Sequence, residues 1–168
     1  MRCPQCNAEH ALLDPTFKRP DVVFTLPAQD RTRRVLESDD VCSMESAGDG
    51  ARRHFVRCVL PVRLTDVADS TRWGLWAEVA EKDLTRVLAL WDDPRQADEP
   101  AFAAIVANRV PGYPETIGLP VEMRLTGPSS RPALAFDASN HHPFAAECRE
   151  GVPVHRVVEW LKAMGSQE

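Results

Sequence analysis

Apolar residues recur at every second position in several segments, which is the periodicity of a β-strand with one buried face. The first segment runs from Phe55 to Arg63 and carries on one face Val56, Cys58, Leu60 and Val62. The second segment covers residues 73–79 and carries on one face Trp73, Leu75, Ala77 and Val79. Further strand-like segments lie at 40–45, 119–125 and 133–136. The alternation therefore predicts a sheet of mainly antiparallel strands.

A second periodicity, of three to four residues, predicts helices. One apolar stripe ends before Pro94 and consists of Leu84, Val87, Leu88 and Trp91. A helix over about 153–164 has a stripe formed by Val154, Val157, Val158 and Leu161. Shorter helices are predicted at 28–34, where Val35 and Leu36 would be the apolar contacts, and from His142-Pro143 to Cys148. The segment 102–110 is apolar, and its period does not distinguish a strand from a helix.

The order of these elements indicates the fold class. Proline-containing loops and antiparallel alternation outnumber βαβ units, so we predict an α+β fold. It consists of one twisted, mainly antiparallel sheet with helices packed on one face, and a small N-terminal Cys-x-x-Cys knuckle. A chain of 168 residues and 18.7 kDa suits a single domain over 1–168, with the knuckle in 1–20 and the α+β body in 21–168.

Charge and hydropathy narrow the environment of the protein. The chain has 20 Lys+Arg against 25 Asp+Glu, a net charge of −5, which makes nucleic acid an unlikely partner. No apolar run approaches the roughly 20 residues that span a bilayer, and no apolar leader follows Met1. We therefore expect a cytoplasmic protein without a membrane partner. The 5 cysteines are then expected to be reduced.

The strongest chemical motif is Cys3-x-x-Cys6, with His10 four residues further on. Two thiolates across a tight turn supply half of a tetrahedral zinc site, and His10 is a candidate third ligand. Asn7 follows the second cysteine and is one of the few residue types that tolerate the left-handed conformation such a turn needs. A fourth ligand must come from elsewhere in the chain: Cys42, Cys58, Cys148 or one of the histidines. The alternatives are two free thiols or a thioredoxin-like redox pair, although no strand precedes the motif.

A second candidate is the loop that contains Asp137, His141 and His142. A carboxylate and two imidazoles within six residues have the groups needed for acid–base catalysis or for binding a metal. The alternative is a polar loop in which His142 caps the helix that begins at Pro143. A metal- or His-dependent hydrolase is therefore a second functional hypothesis.

A possible pocket is suggested by Trp76, Tyr113, Arg131 and His142. Aromatic residues on a sheet belong more often to the core, which is the competing interpretation. Arg57 and Arg131 lie at strand positions and offer forked guanidinium donors for a carboxylate or phosphate. The competing interpretation is that each pairs with an acidic residue of the same chain.

Several landmarks together resemble a bacterial family described as domain of unknown function 2199. They are, in chain order, Cys3-x-x-Cys6 with His10, Ser38-Asp39-Asp40-Val41-Cys42, Phe55-Val56-Arg57 with Pro61-Val62, Trp73-Gly74-Leu75-Trp76, Asn108-Arg109-Val110-Pro111-Gly112-Tyr113-Pro114, Arg131-Pro132, His142-Pro143-Phe144 and Gly151-Val152. The resemblance implies a small, stand-alone bacterial cytosolic domain and brings no activity with it. It also implies Cys42 as the fourth metal ligand. Asn7 departs from the family pattern, which usually has glycine there.

These observations favour a non-enzymatic binding or interaction protein, possibly with another protein as partner, whose N-terminus is fixed by structural zinc. The candidate metal ligands are Cys3, Cys6, His10 and Cys42. The hydrolase above and a zinc-ribbon-like nucleic-acid binder are the alternatives, and the net charge disfavours the second of them. The sequence leaves the oligomeric state open.

Overall fold

The computed structural model of the chain describes residues 3–9 and 13–165. Its strands are β1 (Val35–Glu37), β2 (Val41–Glu45), β3 (Arg52–Arg63), β4 (Ser70–Val79), β5 (Phe102–Val106), β6 (Pro120–Arg124) and β7 (Ala133–Ala135). Its α-helices are α1 (Asp21–Phe24), α2 (Ala28–Arg34), α3 (Glu81–Leu90), α4 (Pro143–Glu150) and α5 (Val154–Gly165). A short 3-10 turn covers Gln96–Asp98. Helices and strands alternate in blocks, so the α+β class is confirmed.

The strands form one sheet in sequence order, and every neighbouring pair from β1 to β7 is antiparallel. In addition, β3 pairs in parallel with β7 where Val59 meets Ala133. The strands β3 to β7 therefore close into a five-stranded barrel, and β1 and β2 extend the sheet outside it. This corrects the simple twisted sheet predicted above. The physical reason is the length of β3, which pairs with β2 over residues 52–56 and still reaches β7 at Val59.

The two faces of the sheet bury separate apolar clusters, as the alternation in β3 and β4 predicts. The main core includes Val56, Cys58, Leu60, Trp73 and Leu75. It also receives the buried residues of α3, α4 and α5, among them Leu84, Val87, Phe144, Cys148, Val154, Val157 and Trp160. The second cluster lies on the other face and consists of Val23, Cys42, Met44, Phe55, Trp76 and Ala107. Because Val23 belongs to α1, helices cover both faces, which corrects the one-sided arrangement predicted from sequence.

Most element predictions match the structure to within a few residues, and two details differ. The undecided segment 102–110 is strand β5 as far as Val106. Val35 and Leu36 were predicted as contacts of the preceding helix, but they form the start of β1. Leu36 is 68% exposed, so no burial pattern marked this strand in the sequence.

The segment 14–17 runs along β4 and fixes the N-terminal part of the chain to the sheet. Gly74 N donates to the carbonyl oxygen of Pro15 at 2.8 Å, and Phe17 N donates to that of Gly74 at 2.9 Å. A Cβ atom at Gly74 would lie 2.7 Å from Thr16 Oγ1. Glycine therefore permits a close approach of two backbones here, as its position between two tryptophans suggests.

Candidate metal centre

The Cys3-x-x-Cys6 motif forms a tight turn closed by backbone hydrogen bonds. Asn7 N donates to the carbonyl oxygen of Cys3 at 2.9 Å, and Cys3 N donates to that of Ala8 at 2.9 Å. Asn7 has a φ of 57°, so the left-handed conformation predicted for it is confirmed. The short polar side chain of asparagine tolerates this conformation better than most residues do.

The turn places both cysteines beside a histidine from the other end of the chain. Cys3 Sγ lies 3.7 Å from Nδ1 of His155, in the first turn of α5. The ligand atoms of Cys3, Cys6 and His155 all lie within 4.8 Å of one another. Cys3 is buried, Cys6 is exposed and His155 is half-buried. Within residues 3–9 and 13–165, this is the group of three or more His, Cys, Asp or Glu side chains with the spacing of a metal site.

The turn favours the thiolate form of Cys3. The backbone N–H of Cys6 is the main cause that lowers the pKa of Cys3 from 9.0 to about 7. Burial acts in the opposite direction, while hydrogen bonds from Gln5 N–H and His155 lower the pKa further. A metal binds the thiolate and not the thiol, so this environment prepares Cys3 for coordination near neutral pH.

The other nitrogen of His155 faces a carboxylate. His155 Nε2 lies 3.9 Å from Glu159 Oε1, one helical turn further along α5. Glu159 Oε2 accepts a hydrogen bond from Arg156 Nη1 at 2.8 Å, and this contact is the main cause that lowers the pKa of Glu159. Histidines that bind a metal commonly have a carboxylate on the nitrogen away from the ion. Nδ1 of His155 is thus the nitrogen available to a metal.

The donor set fits zinc. Two thiolates and one imidazole are borderline-soft ligands, and zinc in structural sites takes four such ligands in a tetrahedron. His10, the third ligand predicted from sequence, lies outside the described residues. The structure adds His155, which the sequence left among several histidines.

The structure does not bring Cys42 to this group. Cys42 is 1% exposed, lies on β2 opposite Phe55, and belongs to the second apolar cluster. Burial is the main cause that raises its pKa to about 11. Cys58 and Cys148 are buried in the main core, where desolvation raises their pKa values as well. His155, and not Cys42, therefore lies beside the knuckle cysteines.

The four residues suggested as a pocket do not share one cleft. Trp76 lies in the second apolar cluster, where its Nε1 donates to the carbonyl oxygen of Phe17 at 3.3 Å. Arg131 lies on the outer surface and donates through Nε to Asp40 Oδ1 at 2.7 Å. Tyr113 and His142 both lie beside Phe144 in the main core. Trp76 thus fits the core interpretation, and Arg131 has the acidic partner that the alternative predicted.

The Asp137 loop forms local turns and a helix cap. Asp137 Oδ1 accepts from Ser139 N at 2.8 Å, and the Ser139 contacts are the main cause that lowers the pKa of Asp137. His142 Nδ1 accepts from Phe144 N at 3.2 Å and so caps α4, as the alternative interpretation predicted. His141 is exposed. These contacts account for Asp137 and His142 without a reaction.

A polar network that the sequence did not indicate joins α4 and α5. Tyr113 Oη donates to Glu147 Oε2 at 2.6 Å and accepts from Trp160 Nε1 at 2.7 Å. Glu147 also accepts from Arg156 Nε at 2.9 Å. Burial, followed by the hydrogen bond to Glu147, raises the pKa of Tyr113. Arg156 bonds Glu147 and Glu159, so the network reaches the carboxylate beside His155.

The fold and site define an α+β protein with a partly closed barrel and a Cys-Cys-His cluster between its N-terminal turn and its last helix. Residues 2–152 match the family profile described as "Uncharacterized protein conserved in bacteria (DUF2199)", and the chain belongs to this family. His155 lies just beyond the matched range. No curated protein and no solved structure matches the chain. Among the described residues, every helix is too short or too polar to cross a membrane.

Proposed function

We propose that this protein is a non-enzymatic binding protein whose N-terminal turn is fixed to helix α5 by a structural zinc ion. Cys3, Cys6 and His155 are the ligands, and the observation that carries the proposal is the spacing of their ligand atoms, all within 4.8 Å. Random surface residues seldom bring two sulfurs and an imidazole together from opposite ends of a chain. A structural ion at this place adds folding free energy and holds a terminus that otherwise frays.

The fourth ligand in this proposal is His10, on the basis of its place in the sequence. Together with Cys3, Cys6 and His155 it completes a Cys2His2 set, which is a closed, structural type of zinc site. A catalytic site keeps one position open for water. The contacts of Asp137 and His142 within their own loop also favour a binding protein over a hydrolase.

The zinc ion has a consequence for binding in this proposal. The segment 14–17, which follows the knuckle, lies against β4 and contributes Asp14 and Thr16 to a surface cleft. Fixing residues 3–6 therefore helps to define one wall of a cleft on the outer face of the barrel.

Metal analysis of protein purified without added zinc tests the proposal. We expect close to one zinc ion per chain in the wild type, and loss of that zinc in both Cys6→Ser and His155→Ala. His141→Ala is the matched histidine control because His141 is exposed and outside the group. Cys42→Ala is the cysteine control, and zinc is expected to remain in both controls.

The structural role has its own readout. Removing zinc with a chelator should lower the melting temperature of the wild type by several degrees and leave that of Cys6→Ser unchanged. A zinc content near zero in the wild type contradicts the proposal. Retention of zinc in both Cys6→Ser and His155→Ala contradicts the ligand set.

A further inference from the structure

A cleft of about 710 Å³ lies on the outer face of the barrel, away from the metal centre. This volume is within the roughly 300–1,000 Å³ of sites that hold small molecules. Its lining includes Asp14, Val59, Arg72, Trp91, Ser130 and Arg131. Val59 and Trp91 supply apolar surface, and the other side chains supply polar groups. The cleft therefore combines an apolar floor with polar walls.

Arg131 has unused hydrogen-bond donors at the edge of this cleft. Its ion pair with Asp40 runs through Nε at 2.7 Å. Its two terminal amino groups have no hydrogen-bond partner within residues 3–9 and 13–165. Arg131 is 40% exposed in its side chain, so these donors are accessible to a ligand.

Arg57 adds a second guanidinium at the same end. Arg57 is two positions before Val59 on the same face of β3, and its backbone N donates to the carbonyl oxygen of Asp40, the partner of Arg131. Its Nη1 has a long contact of 3.4 Å with the carbonyl oxygen of Asp39. Its Nε is shielded from solvent and has no partner in the described part of the chain. A buried donor without a partner is costly and indicates a group that an outside molecule can satisfy.

The charges around Arg57 support this interpretation. Burial, followed by the positive charge of Arg131, lowers the pKa of Arg57. The charges of Asp40 and Asp39 act in the opposite direction and are outweighed. The charge on Arg57 is thus under-compensated by the protein itself, and an anion beside it would relieve both the desolvation and the repulsion between the two guanidinium groups.

The opposite wall is already balanced. Arg72 donates through Nε to Asp14 Oδ2 at 2.9 Å, and Asp14 Oδ1 accepts from Arg72 N at 3.0 Å and from Thr71 Oγ1 at 3.2 Å. This wall accordingly offers shape and polarity but no charge that calls for a counter-ion. An anionic group is favoured at the Arg57–Arg131 end alone.

We propose that this cleft binds a small organic anion, whose carboxylate or phosphate is held between Arg57 and Arg131 and whose apolar part lies against Val59 and Trp91. Guanidinium groups recognise planar carboxylates and phosphates through paired N–H donors, which makes arginine suited to this task. The inference rests on the proposed binding function and names the chemical class of its ligand. It does not depend on the zinc ligands.

Arginine side-chain N–H signals in the NMR spectrum of the full-length, metal-containing protein test the inference. The probes are benzoate and phenyl phosphate, with neutral benzamide as the isosteric control, at constant ionic strength. We expect saturable shifts of the Nε–H signals of Arg57 and Arg131 with at least one anion, and affinity for benzamide at least tenfold weaker. A response to benzoate alone assigns a carboxylate ligand, and a response to phenyl phosphate alone assigns a phosphate ligand.

The variants are Arg131→Gln and Arg57→Gln, with Arg124→Lys as the control because Arg124 is exposed on β6 and pairs with Glu122. Affinity for the anion should fall at least tenfold in Arg131→Gln, an exposed position where folding is not at risk, and stay unchanged in Arg124→Lys. Unaltered binding in Arg131→Gln, equal binding of benzamide, or no saturable shift with either anion overturns the inference. Zinc content is measured on each sample, so a failed metal site and a failed anion site give separate results.

Discussion

Cys3 Sγ lies 3.7 Å from His155 Nδ1, although 152 positions separate the two residues in the chain. The contact joins the N-terminal turn to the first turn of α5. It brings together side chains whose neighbours in sequence carry no other metal ligand except Cys6. The termini of a folded chain often lie close together at the surface, and this protein uses that proximity to assemble a site.

Glu159→Gln should weaken metal binding without abolishing it. Glu159 lies 3.9 Å from His155 Nε2 and favours the ring orientation in which Nδ1 faces the cysteines. Loss of such an outer carboxylate typically lowers metal affinity about 10- to 100-fold. The measurement is a competition between the protein and a zinc indicator of known affinity.

Glu150→Gln is the matched control for this substitution, because Glu150 is an exposed carboxylate at the end of α4, away from the metal group. Its affinity for zinc should equal that of the wild type. Equal affinities in Glu159→Gln and Glu150→Gln would show that Glu159 has no part in orienting His155.

The stability of the metal-free protein should change with pH in opposite directions on either side of about pH 9. Cys3 has a pKa of about 7 in the fold against an ordinary value of 9.0, so the unfolded chain binds more protons between these values. Stability therefore rises with pH from about 7 to 9. The buried Cys42, Cys58 and Cys148 have raised pKa values, keep their protons above pH 9, and so make stability fall there.

Urea unfolding of chelator-treated protein across pH 6.5 to 10, in the wild type and in Cys3→Ser, measures this dependence. The rise between pH 7 and 9 should disappear in Cys3→Ser, while the decline above pH 9 remains. A rise of the same size in Cys3→Ser would assign it to another group.

Tyr113→Phe should destabilise the protein by about 1–3 kcal/mol, the usual cost of leaving buried polar partners unsatisfied. The substitution removes the hydroxyl that donates to Glu147 and accepts from Trp160 Nε1. Trp160 is 1% exposed, so water does not readily replace the lost partner. The free energy of unfolding is measured in urea for Tyr113→Phe, Glu147→Gln and the double variant. Additive effects in the double variant would argue against direct coupling of the two residues.

Gly151→Ala should be among the most destabilising single substitutions that add one methyl group. Gly151 has a φ of 88°, and a Cβ atom there would lie 2.6 Å from the carbonyl oxygen of Arg63. We expect a loss of about 2–4 kcal/mol, because backbone strain and steric overlap add. Thermal and urea unfolding both report this loss.

Gly112→Ala separates the two causes. Gly112 has a similar φ of 84°, but no atom lies within 4 Å of its added Cβ among the contacts of the described residues. The cost there should be about 1–2 kcal/mol, the conformational penalty alone. Equal losses at both positions would show that the carbonyl of Arg63 moves aside freely.

The sequence predicts the elements well because side-chain periodicity records which face is buried. The alternation in β3 and β4 assigns Trp73 to one face and Trp76 to the other, and the two residues lie in different apolar clusters. The left-handed turn at Asn7 is equally local and is confirmed. Local patterns thus define strands, helices and turns in this chain.

Closure of the sheet and the histidine of the metal centre escape such reasoning for the same reason. The pairing of Val59 with Ala133 joins residues far apart in sequence, and no periodicity in either strand announces it. His155 lies beside the apolar stripe of α5 and resembles an ordinary half-buried helix residue. The Cys-x-x-Cys motif predicts that ligands must come from elsewhere, but only the folded chain shows that α5 supplies one.

The single parallel contact between Val59 and Ala133 makes a narrow seam in the barrel wall. Val59 N donates to the carbonyl oxygen of Pro132 at 2.9 Å, so this amide reports directly on breathing of the wall. Arg57 stands on one side of the seam and Arg131 on the other, and a molecule that bridges them would act as a clamp. Slower hydrogen exchange at Val59 would then reveal an occupied cleft in protein taken straight from the cell, before its contents are known.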